Sequence, residues 1–309
     1  MTLEIELANE PAPQAAPYVE LTAALTPPHR WKDGLHSART MLRQSFSMRV
    51  GIGLLGCYLV VLVVSLFWTP FDPNATGVGI PLLSPSGANW FGTDRLGMDV
   101  FSRVVAATRV DMGITVAAVS IAFVLGTFFG TVAGYFGGAI DIAIMRFLEM
   151  LQSFPVLLLA MLIVIAIGPG IPNVILVVAV IGVPGYLRLA RAEVLSKKQW
   201  QFAEAARMVG SGSWRIAFRH LLPNCTSPLV AFASINAAWV TVIVASLGYI
   251  GVGIQPGAAE WGAMISSGQD EVVLGYWWIS FFPGIAILGL AGAFYMLGDG
   301  FSDATGLKR

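Results

Sequence analysis

Gln201 to Asn224 reads QFAEAARMVGSGSWRIAFRHLLPN, a polar, helix-favouring stretch set between apolar runs long enough to lie in a bilayer. A soluble helical hairpin between two membrane spans has few uses other than presenting a surface to another protein. Ala203, Ala205 and Ala206 keep one side of a first short helix thin enough for close approach. Gly210 suits the left-handed conformation that ends such a helix. Ser211 and Ser213 are placed to cap a second helix, which Pro223 would stop or kink. Glu204 is a single acid among alanines in a basic neighbourhood. The same spacing also suits an ordinary cytoplasmic loop with helical propensity.

The residues around this stretch set the compartment. The chain is 56% hydrophobic and 12% charged, which excludes an ordinary soluble domain. Its mean hydropathy of +0.74 agrees. Six stretches are long enough to cross a hydrocarbon core of about 30 Å at about 1.5 Å per residue. They lie near Val50–Trp68, Met112–Tyr135, Phe147–Ile167, Ile171–Leu187, Leu229–Gly253 and Tyr276–Leu297. Each can be helical, with its backbone polar groups satisfied internally. No ten-residue alternation points to a barrel. The expected fold class is an all-α polytopic membrane protein with six transmembrane helices.

The first apolar run starts only after residue 49 and exceeds the core of a secretory signal, so no signal peptide is expected. Residues 1–48 read as a cytoplasmic tail. Thr2–Pro28 is rich in Ala, Pro and Glu and lacks periodicity. From His29 on, Arg30, Lys32, Arg39, Arg43 and Arg49 interleave with Trp31, Leu35, Met41, Leu42 and Phe46. That pattern suits a basic amphipathic helix on the cytoplasmic face, or a simple positive anchor for the first span.

Cations give the orientation. With the N-terminus inside, all but three of the 18 Lys and Arg residues fall on inner segments. The exceptions, Arg95, Arg103 and Arg109, belong to the outer loop at 69–109. The outer loop at 253–275 has acids and no cation. The positive-inside rule therefore places both termini and the loop at 188–224 in the cytoplasm, with residues 49–309 as the transmembrane domain.

No chemistry is legible inside the spans. Cys57 and Cys225 offer neither pair geometry nor metal spacing, and His29, His36 and His220 all fall on the cytoplasmic side. There is no nucleophile–base pairing and no GxxxxGK[ST] loop. Any nucleotide energy must come through another chain.

Four stretches then carry a family resemblance. Glu204-Ala205-Ala206, followed by Gly210 and Leu222-Pro223, resembles the coupling loop of ABC-importer permeases, with His220 at the usual Ile position. Phe91 to Arg103 (FGTDRLGMDVFSR) is similar to the outer-loop sequence of the peptide/nickel branch, with Met98 replacing an Arg. Tyr135 to Pro155 (YFGGAIDIAIMRFLEMLQSFP) matches a third stretch, with Glu149 where Asp is more common. The near-terminal LGDGFSDATGLKR matches a fourth, departing at Ser302 and Thr305-Gly306.

The resemblance implies a type I ABC importer permease of the oligopeptide/dipeptide family in a bacterial inner membrane. Its implied partners are a second homologous permease in a heterodimer, two cytoplasmic ATPase subunits, and a periplasmic or lipid-anchored substrate-binding protein. Lipid surrounds it, and no nucleic acid is involved. ATP and Mg would bind the partner ATPases and no cofactor would bind this chain, which is therefore not itself an enzyme. Nickel or another small solute is the alternative cargo; a self-sufficient secondary transporter is a distant one.

Three groups of site residues follow. For ATPase coupling, Glu204 would make a charge-assisted contact, Ala205 and Ala206 would permit approach, and Gly210 would set the interhelical angle. Arg207, Arg215 and Arg219 would face an acidic rim, beside His220 and Pro223. Outside, Asp94, Arg95, Asp99 and Arg103 form either a docking surface for the delivery protein or a locally capped, ion-paired turn. Within the membrane, Arg146, Glu149, Gln152 and Asn236 could line a pathway or gate, or hold helices together. Gly126, Gly130 and Gly134, at four-residue spacing, mark either a moving interface or static helix packing. Pro155, Pro184, Pro228 and Pro283 are candidate hinges.

Overall fold

A computed structural model of the chain describes residues 45–253 and 257–304. The expected amphipathic helix from about residue 29, and the last five residues of the near-terminal motif, lie outside the described residues. The described residues form helices joined by loops, the longest at 68–99, and their one extended pairing is an isolated bridge between Thr93 and Asp99.

Helix α1 (Phe46–Phe67) starts where the Ser45 hydroxyl accepts the Met48 amide at 3.3 Å. It is the least enclosed span and shows Leu59, Val60, Val63 and Leu66 on its surface. In a bilayer such a face meets lipid chains. α2 (Val100–Phe136) runs 37 residues and begins within the expected outer loop, capped by Asp99. α3 (Gly138–Gln152) and α4 (Val156–Ile167) follow, then α5 (Ile171–Lys197), α6 (Gln201–Met208), α7 (Thr226–Ile250), α8 (Trp261–Val273) and α9 (Trp278–Ala304). Among the described residues, five helical segments are long and apolar enough to cross a membrane, or six if the bent pair α3–α4 is one span.

That bend corrects the sequence reading. A single span over Phe147–Ile167 was expected, but α3 and α4 meet at 91° across Ser153–Phe154–Pro155. Pro155 has no N–H to continue the α3 ladder and disfavours helical geometry at the residue before it. The other prolines do not break their helices. Pro184 and Pro283 are carried inside α5 and α9, and Pro228 sits in the first turn of α7, where no intrahelical donor is missed. The outer segment after residue 253 also holds more order than a loop, since α8 occupies half of it.

Small residues decide the closest packing. A methyl group built on Gly126 would lie 2.7 Å from the Val183 carbonyl oxygen. On Gly130 it would lie 2.4 Å from the Leu187 oxygen, and on Gly134 2.8 Å from the Arg191 oxygen. The three glycines thus face α5 one turn apart, and its backbone fills the space that side chains would need. Of the two readings of this stripe, tight helix packing is the one the contacts display.

Three buried clusters stack along the bundle. One gathers Trp261, Trp278, Val104 and Leu290 from α2, α8 and α9. A second joins α2, α4, α5 and α7 through Ile114, Val164, Val177 and Val244. The third joins Tyr135 and Val194 to the Gln201–Asn224 stretch through Ala203, Ala206, Ile216 and Leu221.

Candidate functional site

The hairpin is built on a helix end that the sequence specifies. The Gly210 amide donates to the Arg207 carbonyl at 2.9 Å and the Ser211 amide to the Ala206 carbonyl at 3.0 Å. With Gly210 at φ 77°, this is the paired closure of a Schellman motif. The second helix differs from expectation. Gly212 occupies its cap position, and neither Ser211 nor Ser213 makes the capping bond. After one turn, Ser213–Arg215, the backbone widens into a π-helix at Ile216–Leu221, then tightens to a 3-10 turn at Leu222–Cys225 before α7. Pro223 lies exposed in that tight turn and changes the helical form without stopping it.

This phase shift turns Ile216, Ala217 and Leu221 inward against Ala203 and Ala206. The alanines therefore divide. Ala203 and Ala206 face the protein's own interior, whereas Ala205 lies on the outer side with Glu204 and Arg207. The expectation that Ala206 helps a partner approach is corrected accordingly: it closes the hairpin. Gly210, Arg215 and Arg219 are exposed, and His220 is half-buried, its carbonyl accepting from Asn224 at 2.6 Å. Sequence reasoning missed the tip, where Met208 is 83% and Val209 80% exposed.

The base of the hairpin is fixed. Lys197 pairs with Glu193 at 2.6 Å and donates to the Asn224 carbonyl at 2.9 Å, while Lys198 donates to the Tyr135 carbonyl. Trp214 stacks on Phe218, which stacks on Phe128 of α2. These contacts tie the hairpin to α2 and α5.

At the α3–α4 bend, Arg146 donates to Glu149 at 2.9 Å, but the two side chains are 72% and 53% exposed. A second pair, unforeseen from sequence, carries more: Arg191 of α5 holds both oxygens of Asp141 of α3 at 2.6 Å, half-shielded from solvent. Gln152 accepts from Arg188 of α5, and Asn236 of α7 accepts from Tyr186 at 3.0 Å. Beside the break lies a cavity of about 280 Å³ lined by Gln152, Phe154, Pro184 and Trp239. Bidentate, partly shielded pairs outweigh exposed ones. Asp141→Ala is therefore expected to lower unfolding stability by about 1–3 kcal/mol, and Glu149→Ala by less than about 0.5 kcal/mol. Denaturant titration of both variants in the same detergent checks the ranking.

Outside, three of the four expected docking residues are bound internally. Asp94 accepts the Leu96 and Met98 amides at 2.9 Å each. Asp99 accepts the Ser102 amide at 2.8 Å and the Asn89 side chain at 2.8 Å. Arg103 donates to the Pro73 carbonyl and the Met98 sulfur at 2.9 Å each, and more weakly to the carbonyls of Gly257 and Ala258. Arg95 is exposed, on a recess of about 450 Å³ shared with Ser266, Ser267 and Asp270 of α8. Among the described residues, no three His, Cys, Asp or Glu side chains are grouped to hold a metal ion.

Long apolar helices packed through glycine, a sharply bent helix pair beside a mostly apolar cavity and a firmly held hairpin mark a multi-pass membrane protein. The chain belongs to the family of binding-protein-dependent transport system inner membrane components, whose profile matches residues 126–304. It is 38% identical over 245 residues to the probable D,D-dipeptide transport system permease protein DdpC of Escherichia coli, covering 79% of this chain and 82% of that one. It is 36% identical to the glutathione transport system permease protein GsiD of Pectobacterium atrosepticum (87% and 89% covered). It is 34% identical to the nickel transport system permease protein NikC of Escherichia coli (85% and 94% covered). The family resemblance read from the four motifs holds, and the chain is the permease component of a binding-protein-dependent ABC transport system.

Proposed function

We propose that this chain is one of two homologous permease subunits of an ATP-driven importer for dipeptides or oligopeptides in a bacterial inner membrane. Its six spans, counting α3–α4 as one, run with both termini and the hairpin in the cytoplasm. Two ATPase subunits, carrying ATP and Mg, drive it, and a periplasmic or lipid-anchored binding protein supplies the cargo. The observation that carries this reading is the hairpin's construction: an inner face sealed into the bundle and an outer face left uncovered. Glu204, Ala205, Arg207, Met208 and Val209 form that face, with Arg215 and Arg219 nearby. A surface held this firmly passes displacement to the helices that bound the pathway.

Gln152 and Asn236 offer the pathway hydrogen-bonding groups that suit peptide amides, with Arg146 and Glu149 at its rim. Arg95 is the residue free to meet the delivery protein, while Asp94, Asp99 and Arg103 shape the turn that presents it. Names of relatives favour peptides, since dipeptide and glutathione permeases stand beside the nickel one. The test is purification of the chain with its natural partners, reconstitution in liposomes and uptake assays with labelled dipeptides and with nickel. ATP-dependent, delivery-protein-dependent peptide uptake is expected. Uptake of nickel alone would reassign the cargo; uptake by the solitary chain on an ion gradient would overturn the whole reading.

A further inference from the structure

The junction of α2 and α8 holds two acids that the transport reading does not use. Asp111, on α2, is 1% exposed and Glu260, the cap of α8, is 0% exposed. Both carboxyl groups cap the first turn of α8, on three consecutive backbone N–H groups. Glu260 accepts the Gly262 amide at 2.8 Å and the Ala263 amide at 2.6 Å. Asp111 accepts the Trp261 amide through Oδ2 at 3.2 Å, while its Oδ1 is buried with no partner among donors. A buried oxygen of that kind is costly as a bare acceptor but satisfied as an O–H that donates. Two buried carboxylates gathered on one helix turn cannot both be ionised without large repulsion.

We propose that Asp111 and Glu260 share one proton, in a carboxylic acid–carboxylate hydrogen bond that fastens the N-terminus of α8 to α2. The proton sits on Asp111 Oδ1 and is donated to the Glu260 carboxylate, which keeps its two backbone donors. Losing it to water leaves two facing anions, and α8 detaches at its N-terminal end. Among the described residues, the surroundings named here supply no neutralising charge. On α2, Arg103 lies about two turns away, engaged with backbone carbonyls, and Arg109 is exposed. α7 presents Gly248 and Ala245; α1 presents Tyr58, edge-on to Trp261 and donating to the Ala286 carbonyl. The acids Asp270 and Glu271 lie further along α8. Burial holds the Glu260 carboxyl above the usual carboxylate range, in keeping with this arrangement.

A bound cation fits the site poorly. Three of the four carboxyl oxygens already accept backbone N–H groups. Gly248 is packed so closely that an added methyl would lie 1.9 Å from Glu260 Oε2. Because α8 also carries Ser266, Ser267 and Asp270 into the outer recess, the proton sets the position of one wall of that recess.

The test uses the full-length chain with its co-purifying subunits in lipid nanodiscs. Infrared difference spectra should show a protonated-carboxyl band at neutral pH that fades in alkali, is absent from Asp111→Asn and is shifted in Glu260→Gln, where the acceptor is no longer an anion. Amide exchange protection of residues 257–265, corrected for intrinsic rates, should fall about tenfold or more in alkali for the wild type. Asp111→Asn, whose amide donates without titrating, should keep that protection. A wild-type spectrum without the band at neutral pH, equal alkaline loosening in Asp111→Asn, or loosening of α8 by a chelator at neutral pH would each overturn the proposal.

Discussion

Alanine at Gly130 lowers the stability of the folded chain by about 3 kcal/mol, the upper part of the range for overpacking, whereas alanine at Gly113 of the same helix leaves it unchanged or raises it. An added Cβ at Gly130 lies 2.4 Å from the Leu187 oxygen and 2.8 Å from the Ala190 Cβ, so the obstacle is α5 backbone, which has no rotamer to yield. Relief requires α2 and α5 to part along their length, and the Gly126 and Gly134 contacts loosen with them. At Gly113 an added Cβ meets nothing within 4 Å. There the gain in helix propensity, about 1 kcal/mol, acts alone. Unfolding of both variants in one detergent series gives the sign directly. Equal effects at the two positions would mean that α2 and α5 are not in backbone contact.

Aspartate at both Met208 and Val209 abolishes ATP-driven transport, with assembly of the chain in the membrane intact. Both side chains stand almost wholly in water, so the folded chain loses no packing when they change. Seated in a partner's cleft, each buried side chain contributes about 1.5–3 kcal/mol. Losing both weakens engagement by a factor of about 100 or more. Glu204→Lys would remove the one charge-assisted contact proposed for this face, about 1.5–3 kcal/mol, and is expected to be the milder lesion. Ala206→Leu acts differently, opening the hairpin from within, and is expected to lower stability as well as coupling. Parallel assays of ATP hydrolysis and substrate uptake separate these cases: the tip variants keep the former's basal rate and lose the latter.

Much of this architecture is readable in the chain because its signals are local. Apolar run length marked the spans, Asp99 announced the start of α2, and Gly210 announced the end of α6. The right-angle break at Pro155 was not readable, since a proline in a long apolar run looks the same whether it bends a span slightly or folds it back. The burial of Ala206 with Ala203 follows an i, i+3 apolar spacing in α6 that treating the three alanines as one thin side overlooked. Pairings across the fold were equally silent. Asp141 and Arg191 are 50 residues apart, and Asp111 meets the Trp261 amide across 150. Each residue alone reads as an ordinary loop or interface charge.

The central claim, that partner motors act on this chain through the hairpin, is tested most directly by a single cysteine at Met208. The assembled transporter, purified with its native partners, would be treated with a short bifunctional thiol reagent, with and without ATP. The account predicts crosslinking of this cysteine to an ATPase subunit, with a yield that changes on nucleotide binding. Crosslinks that reach only lipid or the second permease, in every nucleotide state, would contradict it.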